Sequence, residues 1–191
     1  MPEPRQTGTL AAVAPEIRLV ALDVDGVLTD GGIYLGATDS GERVEMKRFE
    51  ITDGLGIHLL QEAGVQVAIV TGRESASVRL RAEELRITEC HQDRGAAKLP
   101  IMEKLVARLE LRWNQVAFLG DDLADLPVLR RVRLPAAVAN AVPEVRARAL
   151  WVARRRGGEG AVREFAEALL HARGEWVGRV RRYLEQREAA G

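Results

Sequence analysis

This chain of 191 residues contains one cysteine and few lysines, and its formal net charge is zero. The single cysteine, Cys90, has no partner for an internal disulfide, which is typical of a reducing cytoplasm, and we interpret it as a small apolar filler. The formal net charge is zero, whereas nucleic-acid binders usually carry a strong basic excess. No apolar run approaches the roughly 18 residues of a membrane span. We therefore expect neither nucleic acid nor a membrane as a partner.

The shortage of lysine is selective, because the chain is rich in arginine. Of its 28 basic residues only Lys47, Lys98 and Lys104 are lysines, which gives each of these positions added interest. The basic run 154–156 is followed by two glycines but lacks both a phosphate-binding Gly-x-x-x-x-Gly-Lys pattern and interleaved aromatic residues. We interpret that run as a surface turn.

The distribution of apolar residues predicts an α/β fold. With 47% hydrophobic residues, a chain of this length can bury one ordinary core. Short apolar runs such as 17–22 and 65–70 alternate with longer amphipathic stretches, the pattern of a parallel sheet covered by helices. We expect a flexible N-terminal tail at 1–16, a main domain at 17–172 and a helical C-terminal tail at 173–191.

One segment interrupts this alternation. Two short extended stretches, 32–35 and 44–49, flank a polar turn that contains Asp39-Ser40-Gly41. This arrangement predicts a β-hairpin that projects from the sheet. No second large insertion follows, so we expect no separate cap domain. A small ligand would then lie in an open cleft that something else must close.

The strongest candidate site follows the first strand, at Asp23-Val24-Asp25-Gly26. Ligands of open parallel sheets bind beyond the carboxyl ends of the strands. Asp23 and Asp25 can present a side chain and a backbone carbonyl to the same hard cation, which suits magnesium. A simple Asp-Gly turn with a helix-capping aspartate is the alternative.

Two other polar groups follow later elements. Thr71-Gly72 ends an apolar strand, where a hydroxyl and a free amide can hold a phosphate oxygen, although a strand-terminating turn explains the pair equally well. Lys98 opens a helical stretch and offers a compact positive charge to a phosphate and to a carboxylate nucleophile. A solvated surface lysine is the alternative there.

A second acidic cluster, Asp121, Asp122 and Asp125, comes directly after the predicted strand at 115–119. Three carboxylates this close together at a buried strand end repel one another unless a cation compensates them. A helix N-terminus could stabilise one or two of these acids. Metal binding explains the whole cluster better.

The order of these groups resembles that of the haloacid dehalogenase superfamily, whose phosphatases carry four such motifs on a Rossmann-like sheet. Over about residues 17–170 the chain is similar to the 3-deoxy-D-manno-octulosonate 8-phosphate phosphatases. The segments that carry this resemblance are 23–31, 53–54, 71–73, Arg81, 120–123 and 157–164. The resemblance implies a cytoplasmic, magnesium-dependent phosphoric monoester hydrolase of lipopolysaccharide biosynthesis, with 17–172 as the phosphatase domain.

The same resemblance implies a role for each site residue. Asp23 would attack phosphorus and form an aspartyl phosphate, and Asp25 would act as general acid and then as general base. Groups behind the site would orient the lysine or a metal-bound water. The implied residues are Asp23, Asp25, Thr71 and Lys98 for catalysis; Asp23, Asp25 and Asp121 for the metal; Asp53, Gly54, Gly72, Arg73, Arg81 and Lys98 for substrate; and Asp122 and Asp125 behind them.

The substrate implied is a small acidic sugar phosphate, with 3-deoxy-D-manno-octulosonate 8-phosphate as the first choice. Arg73 and Arg81 match family positions that contact the acidic sugar, and an arginine fork suits a carboxylate. Arg81 could equally be a surface charge on a helix. Glu50, Thr52 and His58 stand where the family often has asparagine, arginine and arginine, so a nine-carbon sugar acid phosphate is the alternative substrate.

Family members lack a cap domain and form homotetramers in which neighbours help to close each site, so we expect a homotetramer here. Two other functional classes compete with the phosphatase. A signalling receiver domain also forms aspartyl phosphate, but it places its phospho-acceptor on a later strand than its acid pair. A non-catalytic oligomeric partner, such as a domain tethered to a nucleotidyltransferase, would not need Asp23, Asp25, Lys98 and Asp121 intact.

Overall fold

The computed structural model describes residues 10–95 and 97–189, and its centre is a six-stranded parallel sheet. The strand order is β5-β4-β1-β6-β7-β8, and a separate two-stranded antiparallel hairpin pairs β2 with β3. The strands are β1 Leu19–Leu22, β2 Tyr34–Ala37, β3 Arg43–Met46, β4 Gln66–Thr71, β5 Glu89–Gln92, β6 Val116–Gly120, β7 Leu134–Ala137 and β8 Trp151–Val152. The predicted fold class is confirmed.

The central strands are apolar because helices cover both faces of the sheet. All four residues of β1 and all five of β6 are buried, which leaves no polar alternation along either strand. Leu22 of β1 is aligned with Ile69 of β4 and with Leu119 of β6. The residues that follow these three positions therefore meet at one edge of the sheet. The chain order reverses between β1 and β6, and such a switch point is where open α/β sheets bind ligands.

Seven helices of the described chain connect the strands or follow them. They are α1 Ile51–Glu62, α2 Ala76–Glu84, α3 Lys98–Arg108, α4 Leu126–Leu129, α5 Pro143–Arg148, α6 Ala161–Ala172 and α7 Trp176–Ala189. Helix α6 buries one stripe, including Val162, Phe165 and Leu169, at the spacing that an amphipathic helix requires. Its Phe165 ring packs edge-on against Trp151 of β8, with centroids 5.2 Å apart.

The predicted hairpin between the first strand and α1 is also confirmed. Both strands are largely exposed, and apolar side chains stand out from them: Tyr34 is 57% exposed, Leu35 62% and Met46 60%. Its base is fastened to the domain by a bridge between Thr29 and Phe49. An apolar surface of this kind on a projecting element is unusual for a monomer.

The N-terminal boundary needs correction. The predicted flexible tail 1–16 ends in helical turns at 10–16 whose Leu10, Val13 and Ala14 are buried against the core, so residues 10–16 belong to the packed domain. The rest of that predicted tail lies outside the described residues. At the other end, α7 occupies most of the predicted helical tail 173–191. No helix in 10–95 or 97–189 combines the length and the hydropathy needed to cross a membrane.

Candidate active site

Asp23 is the first residue after β1 and the start of a tight loop. Its backbone N–H donates to the carbonyl of Leu119 at 3.1 Å, which extends the sheet pairing by one step. The loop then turns through Gly26, whose φ of 90° is the left-handed conformation that favours glycine. A Cβ on Gly26 would lie 2.0 Å from Oδ2 of Asp121. Glycine at this position therefore lets Asp121 approach the Asp23 loop.

A buried ion-pair triad joins this loop to α3 and to the turn after β6. Nζ of Lys98 lies 2.7 Å from Oδ1 of Asp23 and 2.6 Å from Oδ1 of Asp125. All three side chains are less than a tenth exposed. The two carboxylates compensate the charge of this deeply buried lysine. Burial alone would lower the pKa of Lys98, but Asp23 and Asp125 hold it above its usual value.

The second oxygen of Asp125 organises the turn after β6. Oδ2 accepts the backbone N–H groups of Asp121 at 2.9 Å and of Asp122 at 3.2 Å. Asp125 thus contacts Lys98 through Oδ1 and the backbone of the turn through Oδ2. Asp122 does not share that position, because it is exposed and accepts the N–H of Leu123 at 2.7 Å. Its contact with the site runs through its backbone.

Electrostatics favour a cation beside Asp121. Burial, with Asp23 and Asp125 adding to it, raises the pKa of Asp121 to about 8. Burial likewise raises the pKa of Asp23 to about 6, with Asp125 contributing and Lys98 opposing the rise. Both carboxylates would thus be costly to ionise together with only one lysine present. A bound cation would remove that cost.

The carboxylates fit a magnesium ion. Oxygens of Asp23, Asp121 and Asp125 lie within 4.8 Å of one another. Both oxygens of Asp125 are already occupied by Lys98 and by backbone N–H groups, so we do not assign it as a ligand. Oδ1 of Asp121 is buried without a hydrogen-bond partner among the described residues, as expected of a ligand atom. The predicted third ligand, the carbonyl of Asp25, belongs to the same loop as Asp23.

Thr71 ends β4 next to the Asp23 loop. Because Ile69 is aligned with Leu22, Thr71 lies one step further along the sheet than Asp23. Its side chain is buried, and its carbonyl accepts the N–H of Asp93 at 3.0 Å. Gly72, which follows, is half-buried. The register thus brings the predicted threonine to the same sheet edge as the acid pair.

Arg73 also reaches the site, where it meets the hairpin. Its Nε is 3.7 Å from Oδ2 of Asp25, and its Nη2 is 3.2 Å from Oε2 of Glu45. The other oxygen of Asp25 contacts Nζ of Lys47, which the sequence interpretation did not place in the site. The signal that could have identified Lys47 was the scarcity of lysine in this chain.

Asp53, Gly54 and Arg81 have contacts of their own within the chain. Oδ1 of Asp53 accepts the N–H of Arg163 at 2.7 Å and so caps α6. Burial raises the pKa of Asp53 to about 6, although this hydrogen bond acts to lower it.

Arg81 is held by a neighbour on its own helix, since it donates to Glu84 at 2.8 Å. A Cβ on Gly54 would lie 3.0 Å from the Arg81 guanidinium, so glycine makes room for this arginine. Arg81 is 9% exposed, which rules out a solvated surface charge.

A further residue absent from the sequence interpretation supports the nucleophile loop. Asn140, just beyond β7, donates from Nδ2 to the carbonyl of Gly26 at 3.1 Å. Its Oδ1 accepts the N–H of Gly157 at 2.7 Å, and Gly158 donates to the carbonyl of Val27 at 3.1 Å. Gly157 and Gly158, which follow the basic run, therefore pack against the outer side of the Asp23 loop and, with Asn140, form what we call its wall.

The remaining singled-out residues lie away from this edge. His58 is half-exposed on α1 and pairs with Glu62, one turn along the helix, at 3.2 Å. Cys90 is half-buried in the edge strand β5. Arg154 of the basic run donates to Glu164 at 2.8 Å on the surface, as expected of a surface turn.

Comparisons with known proteins agree with this geometry. Residues 50–133 match the model of the haloacid dehalogenase-like hydrolases. The chain is 44% identical over 164 residues to the 3-deoxy-D-manno-octulosonate 8-phosphate phosphatase KdsC of Escherichia coli (strain K12). The aligned region covers 86% of this chain and 85% of that relative.

Two solved structures show the same fold over almost the whole chain. A probable YrbI family phosphatase from Pseudomonas syringae pv. phaseolica is 46% identical, with a TM-score of 0.85, and the match covers 93% of this chain and 98% of that one. The 3-deoxy-D-manno-octulosonate 8-phosphate phosphatase from Moraxella catarrhalis, in complex with a magnesium ion, a phosphate ion and a KDO molecule, is 36% identical, with a TM-score of 0.84. That match covers 91% of this chain and 97% of the other.

Proposed function

Since this chain belongs to the haloacid dehalogenase-like hydrolases, among the 3-deoxy-D-manno-octulosonate 8-phosphate phosphatases, we propose that it hydrolyses that sugar phosphate to the free sugar acid and phosphate. The observation that carries this proposal is the buried triad of Asp23, Lys98 and Asp125 beside Asp121, at the switch point of the sheet. By the same relationship we assign the enzyme to lipopolysaccharide biosynthesis in the cytoplasm.

The first half-reaction uses two aspartates of one loop. Asp23 attacks phosphorus while the bond from phosphorus to the sugar oxygen breaks, which leaves phosphate on Asp23. Asp25 gives its proton to the departing sugar alkoxide. In the second half-reaction Asp25 takes a proton from water, the resulting oxygen attacks phosphorus, and the Asp23 carboxylate is released. Both steps require the Asp25 side chain at the open side of the loop, and it is 22% exposed there.

Lys98 holds the nucleophile in place for this attack. Its contact with Asp23 fixes one carboxylate oxygen, so that the other is free to face phosphorus. Lys98 and Thr71 would also receive the phosphate oxygens on which charge accumulates. Asp23, Asp121 and the Asp25 carbonyl would hold magnesium, which when bound offsets repulsion between the carboxylate and the phosphate dianion.

The positive charge next to this site favours an acidic sugar. Arg73 is 43% exposed and stands beside Asp25, so its guanidinium can reach a substrate while keeping its pair with Glu45. A guanidinium binds a carboxylate through two parallel hydrogen bonds. The deeply placed Arg81 and Asp53 support this proposal less directly, since Arg81 donates to the carbonyl of Glu50 at the start of α1 and Asp53 caps α6.

A substrate panel tests this proposal. We expect kcat/KM for 3-deoxy-D-manno-octulosonate 8-phosphate to exceed that for glucose 6-phosphate by tenfold or more, as about 1.4 kcal/mol from an added ion pair implies. The panel includes a nine-carbon sugar acid phosphate, and each assay is repeated with chelator and with magnesium restored. Preference for a neutral sugar phosphate would overturn the substrate; a stable phosphoprotein without turnover would favour the receiver-like alternative.

The exposed hairpin supports a homotetramer. Tyr34, Leu35 and Met46 offer an apolar surface that a second copy of the chain could cover, and the described chain has no separate cap domain to close the site. We expect light scattering to give four times the chain mass of 21.0 kDa. Leu35→Glu should dissociate this assembly and lower activity, whereas Thr88→Glu, the same charge at an exposed position near β5, should do neither. A fully active wild-type monomer would contradict shared closure.

A further inference from the structure

Lys47 is a buried cation for which the proposed reaction has so far no role. It follows directly after β3, on a hairpin whose side chains are mostly exposed, yet its own side chain has no exposed surface. Its Nζ contacts Oδ1 of Asp25 and lies 3.9 Å from Oε1 of Glu45. Burying an ammonium group is costly unless it is paired. The Asp25 contact is therefore what holds Lys47 at this position.

Asp25 is clamped between cations from two different elements. Lys47 of the hairpin contacts Oδ1, and Arg73, from the loop after β4, approaches Oδ2 at 3.7 Å. Glu45 links the two cations through its own contacts with Arg73 and Lys47. Ser77 at the start of α2 donates to the backbone carbonyl of Glu45 at 2.9 Å, which fixes the hairpin over the loop.

We propose that Lys47 is the positioning residue for Asp25 in proton transfer to the leaving group, an inference that rests on the proposed function. The side chain of Lys47 has no exposed surface, whereas that of Arg73 is 43% exposed, so Lys47 is the cation that fixes the orientation of the carboxylate. With Oδ1 anchored, Oδ2 is the oxygen that carries the proton. That proton goes to the sugar oxygen as its bond to phosphorus breaks, and Oδ2 later receives a proton from water.

A positioning role makes a specific kinetic prediction. A sugar alkoxide is a poor leaving group and needs a proton as it departs, whereas p-nitrophenolate departs without one. Loss of Lys47 should therefore lower kcat/KM for the sugar phosphate much more than kcat/KM for p-nitrophenyl phosphate, because kcat/KM reports the first half-reaction and not the later attack of water, which is common to both substrates. A merely structural contribution to the site would slow both substrates alike.

The test compares Lys47→Met with Lys104→Met, which removes an exposed lysine on α3. We expect Lys47→Met to lower kcat/KM for the sugar phosphate about 100-fold, within the range of proton-transfer catalysis, and kcat/KM for p-nitrophenyl phosphate less than about threefold. Lys47→Arg should recover part of the loss, and Lys104→Met should change neither rate.

Equal losses on the two substrates, or no loss on either, would overturn the role of Lys47. Failure of the proposed function has a different signature, because the wild-type enzyme itself would then not prefer an acidic sugar phosphate. In that case the same ratio is measured with whichever alkyl phosphate the wild type hydrolyses.

Discussion

Replacing Asp23 with Asn should lower turnover by more than about a thousandfold, because a covalent nucleophile is removed while binding is retained. The matched control is Asp30→Asn in the same loop. Asp30 is exposed and its Oδ1 accepts the N–H of Gly32 at 2.9 Å, a hydrogen bond that asparagine can keep. The control should retain wild-type kcat. Retention of more than a small percentage of activity by Asp23→Asn would exclude the aspartyl-phosphate route.

Although Asp23→Asn should lose turnover, we expect this variant to be at least as stable to heat as the wild type in the absence of magnesium. The pKa of Asp23 is about 6 in the folded chain, above its ordinary value of 3.8, so the folded state binds this proton more tightly than the unfolded state. The free energy of unfolding therefore falls as pH rises from 3.8 through 6, and the ionised carboxylate destabilises the fold above that range. At pH 7.5 in chelator, we expect the variant to melt at or above the wild-type temperature.

With magnesium present, the wild type should instead melt at a higher temperature than Asp23→Asn. The wild-type protein binds the ion in the folded state only and gains stability from it, whereas the variant has lost one ligand. Thermal melts with and without magnesium measure both effects. A variant that melts well below the wild type in chelator would show that the Asp23–Lys98 pair stabilises the fold more than the buried charge destabilises it.

Removal of Lys98 should damage both the fold and the chemistry. Lys98→Met leaves Asp23 and Asp125 buried beside Asp121 without a compensating cation, and breaking a buried pair in this way typically costs about 3–5 kcal/mol. Urea unfolding at neutral pH should show a loss of that size, and turnover should be abolished. Lys104→Met, which removes an exposed lysine of the same helix, should unfold like the wild type.

A second substitution shows whether Lys98→Met loses stability through uncompensated charge or through lost packing. The double variant Lys98→Met, Asp125→Asn removes one carboxylate together with the lysine and should recover part of the lost stability. It should not recover activity, because Lys98 also orients Asp23. If the double variant is no more stable than the single one, loss of packing rather than uncompensated charge explains the cost.

The part of the site formed by Asp23, Thr71 and Asp121 could be predicted because each of these residues lies at the carboxyl end of an apolar strand. Asp23 follows β1, Thr71 ends β4 and Asp121 follows β6, and parallel strands bring their carboxyl ends together. Lys47 could not be located in this way. Its hairpin strand is almost entirely exposed, and nothing in the sequence of that strand shows that the next side chain lies inward against Asp25.

Other omissions have different causes. Strand β5, with sequence Glu-Cys-His-Gln, is a half-buried edge strand without an apolar run, so it gave no periodic signal. Helix α5 does begin with a signal, Pro143 in its first turn, that the sequence interpretation passed over. Arg81 was weighed as a surface charge because its sequence position on α2 does not reveal the cover that Phe49 and Gly54 provide.

The wall formed by Asn140 and the glycine pair has a consequence for synthesis. The loop that carries Asp23 is made early in translation, but the groups that hold its carbonyls, on Asn140 and Gly158, emerge only in the last third of the chain. A ribosome-bound chain that ends before residue 157 has the complete sheet and Asn140, but it lacks the contacts of Gly157 and Gly158. The loop that carries Asp23 therefore gains its full set of supporting hydrogen bonds only after residue 158 has been made.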